Sequence, residues 1–400
     1  MMSTAGLDPD AHRVYLLMFN ACGSGGVART VINLANRLSR THQVELISLF
    51  RRRDRPRFPV DPRVKLTFLD DVRPGAAYDG PRGHVRALLR RQPTRLRPHP
   101  TETEMSLLTD LLLWRKLHGL RAGVLVSTRP SLHLAAVRLA PRRLVTVGQD
   151  HLNFPTRFGN AKQAKVLRAV VPRLDAYTVL THADAEDYRR ELPGADMHLA
   201  VIRNALSWPA ATTPAKLENK VVVAAGRLSA EKGFRRLVHA FAPVARAHPD
   251  WQLHIYGHGD QRVALSSLVT ELGLDGQVVL QGYTEDLRSV LAEASIYAMS
   301  SHSEGFPMVL LEAMSTGLPL VSFDCPRGPG EIIDDDKNGR LVSDGDLPAF
   351  TAALRELVED PELRRRLGAR ALEDARQYET DTITAAWESL FAQVGGRRRG

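Results

Sequence analysis

The chain has 400 residues, with 54 Lys+Arg against 45 Asp+Glu, 14 His and two Cys. That length accommodates two domains, or three, each with its own core, and 44% hydrophobic with 25% charged residues excludes wholesale disorder. Two cysteines build neither a disulfide framework nor a zinc site, and no apolar stretch reaches the ~18–20 residues of a membrane span. Asp8 and Asp10 precede the short run Val14–Phe19, so no signal peptide is expected and the expected setting is cytoplasmic and reducing.

The net charge of +9 is unevenly placed. Residues 1–210 hold 33 Lys+Arg and 18 Asp+Glu, the remainder 21 and 27. A basic half beside a mildly acidic one predicts different partners, the basic half facing something anionic. Arg outnumbers Lys 46 to 8, which fits a codon-composition bias better than a recognition device.

In chain order, a strand over Arg13–Phe19 leads into the small-residue loop Ala21–Gly26, an amphipathic helix through Val31, Leu34, Ala35 and Leu38, and a strand over Gln43–Leu49. This opens a parallel, doubly wound sheet. The segment 51–100 is rich in Arg and Pro and shows no clear period. Further strands are expected at Gly123–Ser127, Leu144–Val147, Ala176–Leu180 and His198–Ile202. Ser207–Asn219 has the composition of a linker. The alternation restarts with strands at Val221–Ala225, Gln252–Tyr256, Gln277–Leu280, Ile296–Met299, Pro319–Ser322 and near Arg340–Val342, separated by helical patterns, and the tail from Pro348 is helical. The expected fold class is α/β, two tandem Rossmann-like domains facing a cleft, with ligands at the carboxyl ends of the strands.

Three segments carry candidate chemistry. Gly23–Ala28 fits G-x-G-x-x-[GA] after a strand, with Glu45 placed 22 residues beyond Gly23. It reads either as a nicotinamide or flavin fingerprint or as a tight turn without a ligand. In Gly226–Gly233, Arg227 and Lys232 stand on one loop closed by two glycines. They either converge on a diphosphate or are solvated charges at a helix start. In Ser303–Gly317, Glu304 ends a strand and Glu312 lies inside the next helix. Eight helical positions span about 12 Å, too far for a hydrolase pair at roughly 5–9.5 Å. The spacing suits a ligand gripped at two ends, with backbone amides at 306–309 toward a diphosphate; the other reading is two solvated glutamates.

Gly226–Gly233 and Glu304–Glu312 resemble the G-R-L-x-x-E-K-G loop and E-x7-E signature of the family-4 retaining glycosyltransferases of the GT-B fold. Gly25-Gly26 with Asn33-Leu-Ala35 is similar to their N-terminal glycine loop, Val201–Asn204 to their I-x-N segment, and Gly257-His-Gly259 to their G-x-G turn. The resemblance implies an acceptor domain over 1–205, a nucleotide-sugar domain over 206–375, and a helix within 376–400 returning to the first domain, ahead of a basic tail. It implies that Arg227 and Lys232 bind the donor diphosphate, Glu312 the ribose, and Glu304 the transferred sugar. Gly25, Gly26, Gly305, Phe306, Pro307, Met308, Val309 and Tyr283 would line the donor site, with Ser301 and Asn204 as further candidates. His151, in Gly148–Asn153, is placed like the family's sugar-side histidine; a structural role is the alternative.

Cys325–Ile333 resembles transferases of cell-envelope polymers and lipid-linked oligosaccharides. The implied reaction transfers a hexose or N-acetylhexosamine from a nucleotide sugar, UDP-linked by that resemblance, with retention by front-side attack. The implied acceptor is a glycan, a polyprenyl-linked glycolipid or a polyol-phosphate polymer. No D-x-D segment stands in a convincing place, so neither metal nor other cofactor is expected. Alternatives are a hydrolysing epimerase of the same fold, an NAD-dependent oxidoreductase using Gly23–Ala28, and a catalytically silent sugar-nucleotide sensor. The Arg-rich span Arg82–Arg97 reads either as a peripheral docking face for an anionic membrane or as a solvated loop. Prolines at 93, 98 and 100 confine any helix there to 83–91. Without interleaved aromatics, nucleic acid is not an expected partner.

Overall fold

The computed structural model describes residues 13–23, 25–76, 80–98, 100 and 102–397. They fall into two compact units: unit 1 holds the described residues up to Ala205 together with those from Thr380 on, and unit 2 is Leu206–Glu379.

Unit 1 runs β1 (Arg13–Asn20), α1 (Gly26–Leu38), β2 (Gln43–Arg51), β3 (Lys65–Asp71), α2 (Gly80–Arg91), α3 (Leu107–His118), β4 (Gly123–Ser127), α4 (Pro130–Leu139), β5 (Leu144–Gln149), α5 (Phe154–Phe158), α6 (Ala161–Val170), β6 (Ala176–Val179), α7 (His182–Glu191) and β7 (His198–Val201). Its seven described strands, all parallel, lie in the order β3-β2-β1-β4-β5-β6-β7. The central strand β1 is an unbroken apolar run because both faces are covered. Val14, Leu16 and Met18 enter one core, Tyr15, Leu17 and Phe19 the other.

Unit 2 runs β8 (Val221–Ala225), α8 (Phe234–Ala247), β9 (Gln252–Tyr256), α9 (Arg262–Glu271), β10 (Val278–Gly282), α10 (Leu287–Ala292), β11 (Ile296–Met299), α11 (Met308–Met314), β12 (Leu320–Asp324), α12 (Pro329–Ile332), β13 (Gly339–Ser343), α13 (Leu347–Glu359) and α14 (Pro361–Ala375). Its parallel sheet is ordered β10-β9-β8-β11-β12-β13. The two sheets therefore share one winding, with strand order reversing between β1 and β4 and between β8 and β11. Ligands of doubly wound sheets bind at such switch points, beyond the strands' carboxyl ends.

The segment without a readable period contains β3 and α2. Helix α2 begins at Gly80, before the expected 83, and its Arg86 and Arg90 lie one turn apart on the same face. They reach the buried Asp70 at 3.0 and 2.7 Å. A carboxylate withdrawn from water needs such partners, so these two cations serve the fold.

The final helix α15 (Thr380–Arg397) packs on unit 1 against α1. Ile383, Trp387, Leu390, Phe391 and Val394 form its buried stripe and join the core of Val14, Leu16 and Leu38. Trp387 is 1% exposed. Trp387→Ala is expected to cost about 3–5 kcal/mol, read as a lowered urea midpoint for unit 1 that leaves the unit 2 transition in place.

Candidate active site

The best-built arrangement stands at the switch point of unit 2. The loop after β8 and the turn after β9 touch main chain to main chain. Gly226 N–H donates to Tyr256 O at 2.9 Å and Leu228 N–H to His258 O at 2.9 Å. A Cβ on Gly257, whose φ is +146°, would lie 1.8 Å from Gly226 O. The G-x-G turn is thus explained by packing inside the protein. At the loop's far end Gly233, with φ +63°, presses on β11's exit, where a Cβ would stand 2.0 Å from Ser300 O. Arg236 clamps the same exit by donating from Nε to Ser300 O at 2.6 Å and from its terminal nitrogen to Ser301 O.

These contacts bring together residues 72 positions apart. Lys232 Nζ lies 2.7 Å from Glu304 Oε1, and Ser301 Oγ donates to the same oxygen at 2.6 Å. The lysine and glutamate side chains retain 25% and 10% exposure, so the pair is sheltered but reachable. Glu304 is also held through its backbone, N–H to Pro326 O and O from Arg327 N–H. Arg227 is exposed on the same loop, and its side chain makes no hydrogen bond or ion pair among the described residues. Glu312 lies within α11, 3% exposed, and accepts from Ser207 Oγ at 2.5 Å. Ser207 was not singled out from the sequence, because it lies in the linker, 105 positions away.

Gly305, Met308 and Val309 are half-buried, and Phe306 and Pro307 buried, between Glu304 and the body of α11. Tyr283 is 49% exposed, its ring 6.0 Å from that of His258. Burial raises the Cys325 thiol to about 12, which removes it as a nucleophile at neutral pH.

The other candidates belong to unit 1. Gly25 precedes α1 with φ −85°, and a Cβ at Gly25 or Gly26 would meet nothing within 4 Å. Packing within unit 1 therefore does not demand these glycines. Ser24, inside the same motif, lies outside the described residues. Glu45 does not serve a dinucleotide site. It stands near the amino end of β2, where Thr67 Oγ1, Lys116 and Lys65 hold it. At about 3.3 Å per residue, it is remote from the carboxyl end where a ribose would sit. Asn204 is buried beside Thr30, Gln149 and Thr384, against α15.

His151 follows β5 in a polar cluster that sequence reasoning missed. The buried Asp150 accepts from Arg157 Nε at 2.8 Å, from the Tyr177 and Tyr188 hydroxyls at 2.9 Å each, and from the His151 backbone N–H at 2.9 Å. Arg157 holds Asp150 ionised in spite of its burial. The only sequence signal was an Asp-His pair at a strand's end. The imidazole of His151 is itself buried, and its Nε2 has no hydrogen-bond partner among the described residues. Burial, helped by Arg157 and Arg129, lowers its pKa to about 4, against the pull of Asp150. Burial likewise lowers His133, bonded to Ser127 Oγ at 2.7 Å, to about 3.

Among the described residues no group of three His, Cys, Asp or Glu side chains is arranged to hold a metal ion, and no helix is long and apolar enough to cross a membrane.

Both imidazoles are expected to be neutral at pH 5.5, as ring ¹⁵N shifts will show; a His151 ring titrating above pH 6 overturns the assignment. In the unfolded chain these histidines titrate near ~6.5. Between that pH and about 4 the unfolded state binds more protons, so stability is expected to fall as pH drops through this window.

Residues 24–207 match the family described as Glycosyltransferase Family 4, and residues 211–374 the family described as Glycosyl transferases group 1. Among curated relatives, an exopolysaccharide phosphotransferase of Streptomyces coelicolor is 34% identical over 94% of this chain; the chain spans 40% of that protein's length. An uncharacterised glycosyltransferase of Haemophilus influenzae is 23% identical over 95% of this chain and 99% of its own. Among solved structures, a TarM variant of S. aureus, crystallised with fondaparinux, alpha-GlcNAc-glycerol and UDP, superposes with a TM-score of 0.74 at 15% identity, covering 95% of this chain and 99% of its own. Two sheets of one winding give the chain the GT-B fold, and a glycosyltransferase family model matches on either side of residue 208.

Proposed function

We propose that the chain is a retaining glycosyltransferase that moves a hexose or N-acetylhexosamine from a UDP-linked donor to a cell-envelope glycan, glycolipid or polyol-phosphate acceptor. The observation that carries this reading is the Lys232–Glu304 pair, tied by Ser301 at the unit 2 switch point. Lys232 and the open Arg227 offer two cations to a diphosphate. They stabilise the charge that grows on it as the glycosidic bond breaks, so the leaving group departs without a metal. Glu304 offers oxygens to sugar hydroxyls, and Glu312, exchanging Ser207, to a ribose. Gly25 and Gly26, with open space at their Cβ positions, allow a phosphate to approach main chain. His151, uncharged and with Nε2 unpaired among the described residues, supplies a neutral hydrogen-bonding group for the sugar. UDP in the TarM variant supports the nucleotide, and the exopolysaccharide relative supports the envelope polymer.

The test is a panel of nucleotide sugars with nucleoside diphosphate release as the readout and product anomer read by NMR. Release from a UDP sugar and an anomeric configuration matching the donor are expected. No release and no binding with any nucleotide sugar sinks the reading, and an inverted anomer sinks retention. Lys232→Ala and Glu304→Gln are each expected to lower kcat by about 100-fold or more; full activity in either overturns its role.

We propose further that the basic unit meets an anionic membrane face where its acceptor is held. Exposed Val85, Leu88 and Arg91 recur at three-residue spacing on α2, with exposed Arg95 just beyond it, an apolar and cationic combination suited to an interface. The side chain of Arg82 lies outside the described residues. Because Arg86 and Arg90 neutralise Asp70, the informative variant is Arg91→Ala/Arg95→Ala. It is expected to reduce sedimentation with phosphatidylglycerol vesicles several-fold, and unchanged binding rejects the docking face.

A further inference from the structure

Unit 2 also has a cavity that none of the proposed ligand-binding residues Arg227, Lys232, Glu304 and Glu312 lines. It measures about 380 Å3 and lies among the turn Ser229–Gly233, the beginnings of α8, α9 and α13, and His302 beyond β11. Its polar side chains, each able to donate, are Ser229, Arg235, Arg236 and His239, Gln261 ahead of α9, and His302, beside apolar groups that include Leu265. No carboxylate lines it. Lys232, Ser301, Glu304 and Glu312 are also absent from its walls, so it is separate from the proposed donor site.

Arg236 is fixed in place. It donates to Ser300 O and to Asp344 Oδ1 at 2.8 Å, and lies 4.1 Å from the centre of the Phe323 ring. The side chains of Arg235, His239, Gln261 and His302 make no hydrogen bond or ion pair among the described residues. Four side chains without a partner among the described residues, around a recess of ligand size, suit an acceptor-rich occupant. The guanidinium of Arg235 suits a phosphate, and the apolar groups suit the C–H face of a ring or chain.

We propose that this cavity binds a phosphate-bearing sugar or polyol, at the same time as a nucleotide and independently of the donor assignment. Such a phosphate comes either as a monoester on a small metabolite or as a diester within a polymer.

The full chain, saturated with UDP, is titrated calorimetrically with glucose 6-phosphate as the monoester probe, glycerophosphoglycerol as the diester probe, and glucose as the uncharged control. One phosphate probe is expected to bind at one equivalent and glucose not to bind; the preferred probe identifies the source. Arg235→Ala/His239→Ala changes two exposed side chains and is expected to weaken that binding about tenfold or more while UDP binding is unchanged. Binding of neither phosphate, equal binding of glucose, or undiminished binding in the double variant overturns the proposal. If UDP itself does not bind, the donor reading falls, and the same phosphate titrations on the unsaturated chain and its double variant still decide this one.

Discussion

Three loops of unit 2 meet through bare main chain, and the rest of the site depends on that contact. The carbonyl of Gly226 lies where a Cβ of Gly257 would be, and Ser300 O where a Cβ of Gly233 would be. Strands β8, β9 and β11 are neighbours in the sheet, so their exits converge, and side chains between them would prop the exits apart. Without side chains the loops close, and Lys232 comes within a hydrogen bond of Glu304. Arg236 then locks the exit of β11 from the other side with its guanidinium. The ionic pair is thus a product of steric permission: charges placed by glycines.

The excess of positive charge in unit 1 looks different once partners are assigned. Arg157 serves the buried Asp150, Arg86 and Arg90 serve Asp70, and Lys116 serves Glu45. Each carboxylate is buried, and burial without a cation would cost several kcal/mol. These four are a small part of the 33 cations of residues 1–210; exposed ones such as Arg91 and Arg95 stay available for a partner to meet.

Much of the fold was legible because a strand buried on both faces is a continuous apolar run: β1, β4, β5, β8 and β11 announce themselves by composition alone. Strand β3 did not, since it is an edge strand of mostly half-buried residues carrying Lys65, Asp70 and Asp71. The prolines bounded helix α2, but the role of its Arg86 and Arg90 was hidden: they look solvated until Asp70 is found beneath them. Within the site, the loop Gly226–Gly233 and the glutamates were legible as local patterns. Their meeting was not, and neither was the engagement of Glu312 by Ser207. Contacts across 72 or 105 residues have no periodicity to betray them. The cluster at Asp150 was also hidden, because its tyrosines arrive on β6 and α7, 27 and 38 positions on, with no local sign of a shared carboxylate.

The return of the chain to unit 1 through α15 makes that unit discontinuous in sequence, with all of unit 2 spliced between its parts. The core around Val14 and Leu16 is finished only by Trp387 and Phe391. During synthesis, unit 2 is therefore entirely out of the ribosome before unit 1 can close its core. The usual order, in which the amino-terminal domain folds first, is reversed here at its final step. Until α15 arrives, the sheet face of Val14, Leu16 and Met18 is covered, of the helices α1 and α15, by α1 alone, and its core is incomplete.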